Sequence, residues 1–104
     1  MPKIFVFGTF VLYFWAGENN EPIHVHVGVR RPADGDAKFW LTNDGGCIVA
    51  RPGDLSKRDL RDIQRFIVQN HAYIVSKWVE FYEGIEPRFY QKLKCGLLAH
   101  LAGC

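Results

Sequence analysis

The chain has 104 residues, a formal net charge of +2 and 48% hydrophobic residues. That length suits one domain with an ordinary core. The hydrophobic share excludes a disordered chain, and the near-balanced charge excludes a whole-surface field for nucleic acid or membrane. The three cysteines, Cys47, Cys95 and Cys104, form no C-x-x-C; an odd, sparse set fits a reducing compartment, so a cytoplasmic location is expected.

Lys3 is followed by an uncharged apolar run to Trp15. Its opening resembles a secretory leader, but Phe14 and Ala16 do not make a small-x-small cleavage site, and its aromatic content favours strands. Residues 3–15 read as one long strand or two short ones broken near Gly8, and with both faces apolar the run should be central or meet a partner. Residues 16–22 (AGENNEP) make a turn. Next, Ile23, Val25, Val27 and Val29 alternate with His24, His26, Gly28 and Arg30. Strand side chains alternate between faces, so one face is β-branched and buried and the other carries the histidines and the arginine. A loop at 31–35 leads to a second alternating strand, with Ala37, Phe39 and Leu41 on one face and Lys38 and Trp40 on the other. NDGG (43–46) is a turn before a short strand, Cys47–Ala50. Connections this short imply an antiparallel meander.

The period then changes. Ser56 and Asp59 have capping-box spacing, and Leu60, Ile63, Ile67, Ile74, Trp78 and Tyr82 recur at helical intervals. One helix over 56–83 would be roughly 42 Å long, too long for a small domain, so two helices should meet at Asn70 and His71. Gly84 suits a stop. The expectation is an α+β fold: an antiparallel sheet of about four strands with two helices packed on one face, a single domain over 1–86 and a tail over 87–104. The tail's Phe89, Leu93, Leu97 and Leu101 allow a further short helix.

The run NNEPIHVHV, then AKFWL, then a helical segment with Asn70 and Trp78, resembles the domain of unknown function 4160 family over roughly residues 3–84. Its members are short bacterial and phage-associated proteins with an E-P-x-H-V-H-V pattern. Many carry a further histidine where this chain has Asn20, which weakens a three-histidine metal site. Members are often encoded beside another small protein, so the resemblance implies a toxin–antitoxin component with a cognate small protein partner.

The histidine face offers three readings. Imidazole is the side chain whose charge ordinarily changes near neutral pH, so His24 and His26 would serve as the catalytic acid–base pair of an RNA-cleaving protein, with Arg30 and Lys38 on phosphate and Trp40 stacking on a base. Alternatively, H-x-H on a strand directs two imidazoles at one divalent metal such as zinc, with Glu18, Glu21 or His71 as a further ligand. The third reading is an interaction module, docking a partner protein or pairing as a homodimer. Against all three stands the ordinary polar face of an open sheet. No apolar run is long enough for a membrane-spanning helix, so no membrane partner is expected. Arg58, Arg61 and Arg65 share a helix face, but Asp59 and Asp62 balance them. Cys47 in an apolar setting should be an inert thiol.

Overall fold

Gly8, with a φ of 63°, reverses the N-terminal apolar run in a conformation that glycine adopts without steric cost. β1 (Lys3–Phe7) and β2 (Phe10–Tyr13) therefore pair as an antiparallel hairpin. The computed structural model describes residues 3–18, 20–83 and 85–91. β3 (His24–Val29), β4 (Ala37–Leu41) and β5 (Cys47–Arg51) complete a meander in the order β1-β2-β3-β4-β5. The sheet thus has five strands where about four were expected, because the first run splits. Of that run only β2 is interior; β1 is an edge.

α1 (Lys57–Gln69) opens as the capping spacing predicts, with the Asp59 N–H donating to Ser56 Oγ at 3.0 Å. α2 (His71–Phe81) follows at once. The break falls on Asn70, whose φ of −116° and ψ of 21° leave the helical region. Its Nδ2 donates to the Phe66 carbonyl at 2.8 Å, which also accepts the Asn70 backbone N–H at 3.1 Å, so the side chain reinforces the last turn of the ending helix.

Both helices cover one face of the sheet. Leu12, Val25, Val27, Phe39 and Leu41 meet Ile63, Ile67, Ile74 and Trp78 in one core. All are essentially inaccessible to solvent, and burial of each is worth about 1.5–3 kcal/mol relative to exposure. Phe5 and Phe7 extend the core onto Phe66. Arg58, Arg61 and Arg65 are exposed, the solvated face that their balancing aspartates suggest.

After α2 the chain returns to the sheet. Ile23 N–H donates to the Arg88 carbonyl at 2.7 Å and Tyr90 N–H to the Leu41 carbonyl at 3.0 Å, which ties residues 88–91 to β3 and β4. The stop at Gly84 and the helix expected from Leu93, Leu97 and Leu101 lie outside the described residues. Among the described residues no helix is long and apolar enough to cross a membrane.

Candidate metal centre

Strand register builds the face opposite the helices. Tyr13 pairs with His26, His26 with Lys38 and Lys38 with Arg51, while His24 pairs with Trp40. The two histidines therefore share a face, as the alternation predicts. That face is not open: His24 and His26 are each 2% exposed. After β2 the chain turns at Gly17 (φ 86°) and crosses the sheet, setting the Trp15 ring edge-on to His26 at 6.3 Å. On the other flank Tyr90 stacks on Trp40.

The crossing loop delivers Glu18. Its Oε1 lies 2.8 Å from His24 Nε2 and 2.7 Å from His26 Nε2, and the ligand atoms of the three residues all lie within 4.8 Å of one another. Of the three further ligands the sequence offered, Glu18 alone joins the pair. Glu21 forms an ion pair with Lys38 at 2.6 Å, and His71 sits at the helix junction with Nε2 3.1 Å from the Thr42 carbonyl.

Each ring is held by its neighbours. His24 Nδ1 is 2.8 Å from the Pro22 carbonyl, which can only accept, so Nδ1 carries the proton and donates. In a neutral ring Nε2 then presents a lone pair to a carboxylate oxygen. His26 lies face to face with Tyr13, centroids 5.4 Å apart, and its buried Nδ1 has no hydrogen-bond partner. Burial holds the His26 imidazole below its ordinary pKa, against the opposing pull of Glu18. For Glu18, burial acts to raise the carboxyl, but the hydrogen bonds and charge of His24 and His26 outweigh it and hold the group below the usual carboxylate range.

Of the residues expected to hold RNA, Arg30 leaves the histidine face while Lys38 and Trp40 stay on it. Arg30 lies past the end of β3 with a φ of 70°, which breaks the alternation and leaves the side chain exposed without a contact to the histidines. Lys38 is on the predicted face, but its Nζ is paired with Glu21 and lies 4.3 Å over the Trp40 ring. Trp40 is there too, half-buried, with one side covered by Tyr90. Sequence reasoning missed Tyr13 and Asp36, which brace the site: the Tyr13 hydroxyl donates to Asp36 Oδ2. The visible signal was Tyr13 at the end of an apolar run, two strands from a polar partner.

The model of a family described as "Domain of unknown function (DUF4160)" matches residues 9–79, from β2 into α2, and so includes Glu18, His24 and His26. No curated protein and no solved structure matches the chain. A family match over more than half of the chain, together with the H-V-H-V strand that the match encloses, places the protein plainly: it belongs to the domain of unknown function 4160 family.

Proposed function

We propose that the protein is a divalent-metal-binding module whose centre is Glu18, His24 and His26. The observation that carries this reading is the His24–Glu18 contact. With Nδ1 committed to the Pro22 carbonyl, Nε2 and Glu18 Oε1 are two acceptors at 2.8 Å unless a cation, either a proton or a metal, lies between them. Carbonyl-anchored Nδ1–H is also the arrangement that orients metal-binding histidines. Two imidazoles and one carboxylate make a known zinc donor set with a further position open. Tetrahedral zinc with bonds of about 2.0–2.2 Å separates its ligand atoms by roughly 3.3 Å, so the two contacts to Glu18, at 2.8 and 2.7 Å, need open by only about half an ångström, while the widest separation in the cluster, within 4.8 Å, closes.

RNA cleavage by free imidazoles would require the substrate to reach two rings that are 2% exposed and already share one carboxylate. A toxin that acts on RNA would then use a metal-bound water in their place, and growth arrest on induced expression would disappear with Glu18→Gln.

The test is metal analysis of protein purified without chelators, incubated with excess Zn²⁺ and freed of unbound ion. One ion per wild-type chain, with affinity weakened on the order of 100-fold in Glu18→Gln, is the expected result. Stoichiometry far below one in the folded wild type would overturn the reading.

A further inference from the structure

Beside the proposed centre lies a cleft of about 430 Å³, lined by Glu18, His26, Trp15, Asp34, Gly35 and Arg51. Two of the three metal-binding side chains thus reach its wall, while His24 stays behind them. A metal held here has protein on one side and the cleft on the other, the geometry of a centre that keeps a position for an exogenous ligand.

The cleft's chemistry limits that ligand. Register places Arg51 in the same row as His26 and Lys38, and its Nε donates to the Asp36 carbonyl at 2.9 Å. This bond aims the guanidinium and leaves its terminal nitrogens without a protein partner among the described residues. A divalent ion and Arg51 outweigh the carboxylates of Glu18 and Asp34, so the loaded cleft is net positive. A planar fork of donors opposite a metal suits a tetrahedral oxyanion that binds both at once, and Trp15 supplies an aromatic wall for a group attached to it.

Resting on the metal reading above, we infer that this cleft binds a phosphate group, free or as a small monoester, between the metal and Arg51. Cobalt(II) serves as the probe, because its visible bands report a change of ligand. Cobalt-loaded wild-type protein is titrated with inorganic phosphate, adenosine monophosphate and acetate, and Arg51→Gln is titrated in parallel.

The inference requires the bands to shift and saturate with phosphate or with the nucleotide, and Arg51→Gln to take up cobalt normally while binding the anion about tenfold more weakly. Tighter binding of the nucleotide identifies the monoester as the ligand, and equal binding identifies the free ion. Bands unmoved by either phosphate compound, an unaltered affinity in Arg51→Gln, or an equal response to acetate would overturn it while leaving the metal centre standing. Failure to take up cobalt at all would overturn both.

Discussion

The ring of Tyr90 lies stacked on that of Trp40, centroids 5.9 Å apart and planes inclined by 22°. The side chain that β4 offers as a stacking platform is therefore occupied by the chain's own returning segment. The segment is anchored on both flanks, by Tyr90 N–H to the Leu41 carbonyl and by Arg88 to the Asn20 carbonyl in the loop that carries Glu18. Tyr90→Ala should expose Trp40 without unfolding the sheet. Acrylamide quenching of tryptophan fluorescence should rise in Tyr90→Ala, and the rise should vanish when Trp40→Phe is added. An unchanged quenching constant would show that Tyr90 does not shield the ring.

Gly28 is a gap in the histidine face for a steric reason. A Cβ there would lie 2.5 Å from both the Arg31 carbonyl oxygen and Asp36 Oδ2. The same Asp36 carboxylate accepts from the Tyr13 hydroxyl and, at 2.8 Å, from Ala33 N–H. A methyl group would displace it and leave a half-buried network unsatisfied. Gly28→Ala should cost about 1–3 kcal/mol, a fall in Tm of roughly 4–20 °C for a domain of this size. A thermal melt within a degree of wild type would refute the crowding argument.

The elements were legible because their signals are local. Period-two alternation defined β3 and β4, a left-handed glycine split the first run, and Asn70 marked the helix break by interrupting an apolar stripe. The centre was half legible. His24 and His26 share a face by alternation alone, whereas Glu18 reaches them only because the segment leaving β2 crosses the sheet, a path set by tertiary contacts such as Tyr82 Oη to the Trp15 carbonyl. For the same reason the covering of the face is invisible in the sequence: nothing local shows that Trp15 and Tyr90 lie over it. Alternation assigns Arg30 to the histidine face only if the strand runs through residue 30; β3 ends at Val29 and the positive φ of Arg30 breaks the pattern.

Cys47 provides a pH prediction. Burial pushes its thiol from 9.0 up to about 11, and its Sγ–H points at the Gln64 carbonyl at 3.7 Å, an acceptor that a thiolate cannot use. An acid whose pKa is raised on folding stabilises the fold below the unfolded value and loses that contribution as pH rises through the folded one. Cys47 should therefore leave stability unaffected below about pH 8.5 and reduce it between there and pH 11. In a Cys95→Ser/Cys104→Ser background, alkylation of Cys47 at pH 8 should be slower than that of a free cysteine by on the order of 100-fold. A Cys47→Ala chain should lose less stability between pH 9 and 11 than one that keeps the thiol. Rapid labelling of the folded protein at pH 8 would contradict the assignment.

If Glu18, His24 and His26 hold a metal, the ion is also a folding ligand, because the three side chains converge only after the loop has crossed the sheet. A ligand that binds only the native state stabilises it by about 4 kcal/mol at a thousand times its dissociation constant, or roughly 15–30 °C in Tm at this chain length. Saturating Zn²⁺ should raise the wild-type Tm by an amount of that order, and a chelator should restore the lower value. Glu18→Gln keeps the size of the side chain but removes the charge, so its melt without metal should stay near that of the metal-free wild type while its response to Zn²⁺ largely disappears. The contrast separates a metal centre from a carboxylate that merely neutralises two buried rings. In the second case Zn²⁺ leaves both melts unmoved, and Glu18→Gln alone lowers stability, because two imidazoles lose the carboxylate that accepts from them.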